Sequence, residues 1–525
     1  MIERTIKSHN PATGEYLGEV HVDEPERVKE IVALSRKAAR EWGRRTFLER
    51  GDSLLGLQQV IVRRADEIAE VISSETGKPR IEAMAAEIAP VVYALRYWRK
   101  RAAKVLKPKT IPLRFLVYKK SYLTFYPLGV VGLIAPWNYP FAIPMGDMTM
   151  ALIAGNSILL KPSEQTPLVG KLIASLFKEA DFPEGVVSVL FGGGDTGAAL
   201  IGAGVDKIVF TGGGSTGRRV MAMAAETLTP VTLELGGKDP MIICEDADLE
   251  LAVEGALWGG MSNAGQTCAG VKRIYIARKI AEPFIEALVK RAERLRLGVP
   301  ADDHVVDVGA IVLERQIDLY RSQLADAEAQ GAKILCGGRE WSAYHKGRFF
   351  APTVVVHVQG NMRLVREETF GPILAVDEVD SVEEAIDKAN DSELGLCASV
   401  WSRDINRAKR IAERLEAGTV VINDCTFTHA LVETPWGGVK KSGFGRVHSD
   451  EGLKEFVNWR HINYNRGGRA GNTLWGRAFW WFPYSPAKYR LFRALTDWLG
   501  TYGWWSRGRA FLAMVKAFWK MKRIH

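Results

Sequence analysis

Residues 130–164 read VVGLIAPWNYPFAIPMGDMTMALIAGNSILLKPSE, and two short apolar runs within them, VVGLIA and NSILLKP, each stop at a proline. Runs of this length, rich in branched residues and lacking polar alternation, suit strands buried on both faces. VVSVLFGG from Val186 and KIVFTGG from Lys207 repeat the pattern, with helical stretches near Leu168–Glu179 and Thr196–Ala203 between them. Strand and helix in alternation predict a parallel sheet wound by helices. Upstream, from about Glu24 to Lys104, the spacing of Leu54, Leu57, Val60, Ile61, Ala65, Ile68 and Val71 predicts a helical layer, broken near Gly77-Lys78-Pro79. Downstream, from about Asp239 to Val432, a second alternation has MIIC, RIYIA, KILCGG, TVVVHV and TVVIND as strands. A chain of 525 residues exceeds what one core serves, so the fold class is α/β with two such domains.

The stretch Ser121–Gly146 carries no charge for 26 residues, enough on length alone to span a bilayer. Pro127, Pro136, Pro140 and Pro144 would break such a helix repeatedly, which favours a buried strand running into a loop. Cys244, Cys268, Cys336, Cys397 and Cys425 are scattered and form no CxxC or Cys/His cluster, so no metal is predicted. With an N-terminus that lacks a charged and then apolar leader, they predict a reducing, cytoplasmic location. The net charge of +9 is concentrated at one end: residues 461–525 hold twelve Lys or Arg against Asp497 alone, a charge of +11 that leaves −2 for the rest. Seven of the fifteen Trp lie there too. The main body is nearly neutral and offers no nucleic-acid surface.

Five short strings stand in order: PWNYP (136–140), KPSE (161–164), LELGGKDP (233–240), GQTC (265–268) and EETFGP (367–372). In this order and at these separations the chain resembles the aldehyde dehydrogenase superfamily, from about Ile6 to Asn465. The resemblance implies oxidation of an aldehyde to a carboxylic acid, with Cys268 as nucleophile. Its surroundings, Asn263-Ala264-Gly265-Gln266-Thr267, suit a loop, and a thiol of ordinary pKa near ~8.5 needs a base or backbone donors to attack at neutral pH. Cys244 and Cys336 sit in apolar strands and read as inert. By resemblance the Asn138 amide joins the Cys268 N–H in an oxyanion hole; Asn138 also suits shaping the turn between Trp137 and Pro140, and the two roles can coexist. Glu234, between Leu233 and Leu235, is the implied base for thioester hydrolysis, and apolar company should raise its pKa. Relatives that release acyl-CoA commonly lack this carboxylate, so the free acid is the expected product.

For the cofactor, the resemblance places the adenosine ribose on Lys161 and Glu164. A carboxylate there favours NAD over NADP by repelling a 2′-phosphate. The turn FTGGGSTG, with Gly212, Gly213 and Gly217, opens a helix whose N–H groups can face the pyrophosphate. Glu368 is implied at the nicotinamide ribose, Phe370 near the nicotinamide ring, and Trp137 completes the cofactor set. Two positions depart from the family: Gly213 stands where a Ser commonly follows FTG, which removes a hydroxyl, and Val447 stands where relatives often carry Glu after GFGR.

The implied organisation is a Rossmann-like cofactor domain (1–105 and 127–236), a catalytic domain (237–435), bridging and oligomerisation segments (106–126 and 436–465) and an amphipathic helical tail (466–525). A homodimer or homotetramer is expected, through the strand EFVNWRHI. In the tail, Phe511, Met514, Val515, Phe518 and Met521 share one helical side while Arg509, Lys516, Lys520 and Arg523 share the other. Leu491, Phe492, Leu495, Trp498 and Leu499 form a second stripe, opposite Arg490 and Arg493. Basic amphipathic helices with Trp at their flanks read as anchors lying on a membrane surface at its cytoplasmic face, and suggest an apolar, long-chain aldehyde. Packing of these helices on the protein's own body is the alternative. In that case the substrate could be a small or polar semialdehyde. A catalytically idle scaffold has no need of Cys268, Glu234 and Asn138 together.

Overall fold

The structure, a computed structural model, describes residues 4–114, 116, 118–299, 306–341, 347–426, 430–466 and 482–522. The chain divides into two compact units, 1–106 with 126–458, and 107–125 with 459–525.

In the first unit, β1 (Val130–Ile134), β2 (Ser157–Lys161), β3 (Val187–Val189), β4 (Lys207–Thr211) and β5 (Val231–Glu234) form a parallel sheet in the order β5-β4-β1-β2-β3. β1 and β2 are buried almost throughout, which is why their sequences show no alternation. The N-terminal helical layer is α1 (Pro25–Trp42), α2 (Phe47–Arg63), α3 (Ala65–Thr76) and α4 (Ala89–Val105), with one π-helical turn at Ala83–Ile88 before α4. A capping box of Thr46 and Glu49 starts α2, because each side chain satisfies a backbone N–H that the first turn leaves open. The stretch after Trp137, read from sequence as loop, is instead helical: α5 (Ala142–Ala154) is buried along nearly its whole length. Pro144 falls in its first turn, where the missing N–H costs nothing.

Helices α6 (Pro167–Glu179), α7 (Gly194–Gly202) and α8 (Gly214–Glu226) complete the winding. Val28 and Ile31 of α1, Leu200 of α7 and Val220 of α8 pack with Ile208, Phe210, Leu233 and Leu235. Side chains alternate along a strand, so Lys207, Val209, Thr211, Thr232 and Glu234 face the opposite side of the sheet. The register confirms the row, pairing Val209 with Thr232 and Thr211 with Glu234.

The second sheet holds β6 (Asp239–Ile243), β7 (Val271–Ala277), β8 (Lys333–Cys336), β9 (Thr353–Val356), β10 (Ile373–Val379), β11 (Cys397–Trp401) and β12 (Thr419–Ile422), in the order β8-β9-β10-β7-β6-β11-β12. Only the β8–β9 pair is antiparallel. Helix α9 (Leu249–Met261) covers it with Met241, Ile274 and Leu374 in one core. The chain then returns to the first sheet, where β13 (Gly443–Phe444) pairs with β5 and sets Gly443 opposite Glu234, before the short α10 (Ser449–Lys454).

The second unit carries a three-stranded sheet of Val457–Asn465, Lys119–Pro127 and Lys109–Ile111. Two tail helices, α11 (Pro486–Gly500) and α12 (Trp504–Lys522), form a hairpin. Their apolar stripes, read from sequence as facing a bilayer, meet each other in part: Ala487 and Leu491 pack against Met514, Ala517 and Phe518. The most exposed aromatics lie at the turn, where Tyr502, Trp504 and Trp505 are 96%, 95% and 88% exposed, while Tyr489, Leu512 and Trp519 are exposed along the helices. Trp475, Trp480, Trp481 and Arg523 lie outside the described residues. Among the described residues no helix is long and apolar enough to cross a membrane, and no group of His, Cys, Asp and Glu is placed to hold a metal.

Candidate active site

Cys268 sits on a loop that the chain makes at some conformational expense. After α9, Asn263, Ala264 and Gly265 take φ of 51°, 53° and 69°, three successive left-handed residues that turn the chain back toward β7. Only the third is Gly, and it is required: a Cβ there would lie 2.2 Å from the Gly371 carbonyl. The other two cost about 1–2 kcal/mol each, so neighbouring bonds must hold them. Asn263 Nδ2 donates to Asn138 O at 3.0 Å, and Glu82 Oε1 accepts from Asn263 N at 2.9 Å. Gln266, wholly buried, donates to Ala310 O at 3.1 Å and accepts from Val312 N at 2.9 Å. Lys272 Nζ donates to Gly265 O at 2.9 Å and Gly371 O at 2.8 Å, clamping GQTC to EETFGP.

Asn138 is buried beside this loop and its Nδ2 donates to Gln266 O at 3.0 Å, leaving one amide N–H for another acceptor. Its backbone carbonyl also accepts from Lys78 Nζ at 2.7 Å. Lys78 in turn meets Glu87 Oε1 at 2.6 Å, both side chains fully buried, and Glu87 Oε2 accepts from Phe141 N at 2.8 Å and Ala142 N at 3.1 Å, at the start of α5. The sequence marked Lys78 only as part of a break; its partner lies nine residues on, across the π turn, and no local pattern announces the pair.

The electrostatics around Cys268 are acidic. Burial, then Asp239, Glu234 and Glu368, push its thiol up to about 12, with the Ala269 N–H opposing. Glu234 ends β5, and neither of its buried oxygens makes a hydrogen bond of ordinary geometry. Burial and then the Asp147 carboxylate push its pKa well up, while Arg446 and the Trp436 side chain pull the other way to a lesser degree. Burial likewise raises Asp147, on α5, to about 7, with Lys207 opposing.

Lys161, Glu164 and the glycines of 212–217 gather at the carboxyl ends of β2 and β4, where an open α/β sheet presents its crevice. Lys161 Nζ donates to Pro162 O at 3.1 Å and to Glu164 Oε2 at 3.2 Å. Although burial opposes it, Lys161 holds the Glu164 carboxyl below its usual range. Gly213 caps the N-terminus of α8, and a Cβ on Gly213 or Gly214 would meet nothing within 4 Å, so this end is open to a ligand; Gly212 and Gly217 instead pack on Phe210 and Leu235. The Glu368 carboxylate lies where a Gly236 Cβ would be, at 2.3 Å, and accepts from Gly237 N at 3.3 Å. Phe370, at φ 54°, sets its ring edge-on to Trp137 with centroids 5.4 Å apart.

The aldehyde dehydrogenase family model matches residues 2–462. The chain belongs to the aldehyde dehydrogenase family. It is 39% identical over 517 residues to a 4,4'-diapolycopene aldehyde oxidase of Methylomonas sp, covering 98% of this chain and 95% of that one. It is 36% identical over 470 residues to a peroxisomal aminoaldehyde dehydrogenase 1 of Pisum sativum, covering 88% and 93%. Among solved structures, the NAD+ complex of an aldehyde dehydrogenase from Bacillus cereus superposes with a TM-score of 0.84 at 37% identity, covering 88% of this chain and 93% of that one. A Mycobacterium tuberculosis aldehyde dehydrogenase complexed with NAD+ gives 0.84 at 34% identity, covering 88% and 95%.

In this aldehyde dehydrogenase, an oxidoreductase of the NAD(P)-dependent family, a cavity of about 500 Å³ reaches Thr267 and Cys268. Ile81, Val91, Ile143, Leu257, Met261 and Val432 give it mostly apolar walls, while Glu82, Glu254, Asp307, Thr426 and His448 are among its polar ones. A wider groove of about 790 Å³ between Ala277 and Arg414 touches none of the site residues. Val447 is buried and exchanges backbone hydrogen bonds with Trp436 at 2.9 Å, so no acid stands at that position. The sequence holds no signal for Lys78, Glu87, Lys272 or Asp147, whose partners are fixed by the fold and by no local pattern.

Proposed function

We propose that this enzyme oxidises an apolar, long-chain aldehyde to its carboxylic acid, with Cys268 as nucleophile, Asn138 as oxyanion donor and Glu234 as hydrolytic base. The observation that carries the substrate class is the mostly apolar cavity ending on Cys268. As Cys268 Sγ bonds to the aldehyde carbon its thiol proton passes to the aldehyde oxygen, where the second Nδ2 hydrogen of Asn138 stabilises the developing charge; loss of hydride from that carbon and of the hydroxyl proton then forms the thioester carbonyl. When bound, NAD supplies the hydride acceptor. Its site fits: the end of α8 is open over Gly213 and Gly214, and Glu164 beside Lys161 suits free ribose hydroxyls while repelling a 2′-phosphate. Glu368 and Phe370 serve the nicotinamide end, where Trp137 holds the Phe370 ring. Glu234, buried and raised in pKa, then takes a proton from the water that attacks the thioester carbon.

The tail supports the same substrate class. An alignment covering 98% of this chain must run through most of the tail, and the relative that shares it is named for a diapolycopene aldehyde. The Pisum sativum aminoaldehyde enzyme covers only 88% of the chain. A hairpin turn bearing bare Tyr502, Trp504 and Trp505, near Arg507 and Arg509, suits an anionic bilayer surface in which such a substrate dissolves. The sheet formed by Val457–Asn465 offers the edge for assembly into a homodimer or homotetramer.

Steady-state oxidation of straight-chain aldehydes with NAD tests the reading. Each methylene taken into the cavity contributes about 0.8 kcal/mol, so kcat/KM should rise about fourfold per carbon until the cavity is full. A short aminoaldehyde that outperforms decanal would overturn it. Full-length protein should co-sediment with anionic vesicles at low salt, and protein left in the supernatant would remove the membrane from the account.

A further inference from the structure

Hydrolysis of the thioester leaves a proton to be disposed of. As water oxygen bonds to the carbonyl carbon, Glu234 takes one of its protons. Collapse of the adduct then breaks the C–S bond, and the proton of the new carboxylic acid goes to the Cys268 sulfur. The proton on Glu234 must leave before the next cycle, yet Glu234 is buried and its oxygens make no ordinary hydrogen bond through which to pass it. Val447 offers no acid, and Arg446, which lies near Glu234, cannot accept a proton.

The sheet shows another way out. Lys207, Thr232 and Glu234 share one face of β4 and β5, the face turned away from the core of Ile208, Phe210 and Leu233. Helix α5 packs on β1 and β2 and contributes nothing to that core, so it lies on the same side as the row. Its Asp147 is buried, makes no hydrogen bond among the described residues, and interacts electrostatically with both Glu234 and Lys207. Beyond it, Lys207 Nζ meets Glu455 Oε2 at 2.6 Å, and Thr232 Oγ1 reaches the same oxygen at 3.4 Å. The Glu455 side chain is 36% exposed while that of Lys207 is 3% exposed, so the row that begins at Glu234 reaches solvent at Glu455.

We propose that Asp147 receives the proton Glu234 takes from the hydrolytic water and passes it, beside the Lys207 ammonium, to Glu455 at the surface. The other titratable and charged groups facing this path are Arg446 beside Glu234, Cys268, and His448, whose Nε2 lies 3.8 Å from a Cβ placed on the neighbouring Gly146. The proposal rests on Glu234 being the hydrolytic base. Glu234→Gln is therefore measured alongside: a steady state as fast as wild type would sink that reading first, whatever Asp147 does.

The experiment is rapid-mix kinetics of NADH formation from hexanal by the full-length enzyme across pH 5 to 9. In Asp147→Asn the burst should persist while steady-state turnover falls about tenfold, short of the ~10² or more of losing a whole acid–base group. Removing a negative neighbour eases ionisation of Glu234, so the acid limb of the steady-state profile should move to lower pH. Asp147→Glu should recover most of the turnover. Lys207→Met, which keeps both carboxylates but removes the cation beside Asp147, should move the acid limb upward. An acid limb unmoved in both Asp147→Asn and Lys207→Met, or burst and steady state falling together in Asp147→Asn with no recovery in Asp147→Glu, refutes the relay.

Discussion

Replacing Lys78 by Met tests whether the catalytic loop is held from beneath. Lys78 Nζ makes two short contacts, to Glu87 at 2.6 Å and to the Asn138 carbonyl at 2.7 Å, and lies 4.1 Å from the centre of the Tyr139 ring. Removing one partner of a buried pair costs about 3–5 kcal/mol, because the other charge is stranded. Glu87 keeps two backbone N–H donors, from Phe141 and Ala142, so the lower end, about 3 kcal/mol, applies. Denaturant unfolding followed by Trp fluorescence reads this as a lower midpoint. The burst of NADH should slow at least tenfold, since Asn138 O retains only the Asn263 donor. In the double change Lys78→Met with Glu87→Gln, much of the stability should return, because no charge is stranded and the amide oxygen still accepts from Phe141 and Ala142, while the burst stays slow. A Lys78→Met enzyme within about 1 kcal/mol of wild type, with an unchanged burst, would refute the idea that this pair carries the loop.

Gly213→Ser restores a hydroxyl at an open N-cap; a bond to a charged phosphate is worth about 1.5–3 kcal/mol, so the Kd for NAD by fluorescence titration should fall roughly tenfold to a hundredfold. An unchanged Kd would mean that this turn does not meet the pyrophosphate. Asn138→Ala should slow the burst by on the order of 10² to 10³, and an unaffected burst would leave Asn138 only its turn-shaping role. Glu75, Glu82 and Asp147 are all raised by burial to about 7. Carboxyls whose folded pKa exceeds the unfolded value give stability that is whole below about pH 4 and is lost as pH rises through about 7. Urea midpoints for these three should follow that sign, with Glu75→Gln flattening part of the slope; a midpoint dependence unchanged by Glu75→Gln contradicts it.

The strands were legible because burial on both faces writes itself as an unbroken apolar run, as in VVGLIA and NSILLKP. The motif residues were legible only as a set, since PWNYP or GQTC alone specifies a turn or a loop and nothing more. Helix α5 was missed because prolines in a local reading argue against a helix, while the position of Pro144 in the first turn makes it harmless. The supports of the site were invisible for another reason. Lys78, Glu87 and Lys272 act through partners fixed by the fold, and a buried Lys looks like a surface Lys until its partner is known. The tail shows the limit of the helical wheel: it could not tell that Leu491 would meet Met514 and Phe518, or that Leu499 and Phe511 of the two stripes would stay exposed.

The acidity around Cys268 constrains both halves of the reaction. With its thiol pushed up to about 12, Cys268, the proposed nucleophile, is protonated at neutral pH, and in the proposed mechanism each expulsion of free thiolate into this field costs several kcal/mol relative to an ordinary cysteine. A neutral thioester relieves that repulsion, so the same carboxylates that hold back the thiolate favour the acyl-enzyme once it forms. Leaving the acyl-enzyme is then the uphill step, and it becomes feasible only if the sulfur departs with a proton while another is removed from water nearby. Burial and the Asp147 carboxylate raise Glu234, set opposite Gly443 at the end of β5, so it holds a proton more readily than an ordinary carboxylate. A site built this way cannot depend on one carboxylate alone, because a protonated Glu234 must pass its proton to the neighbouring Asp147, or to solvent beyond it, before the next cycle.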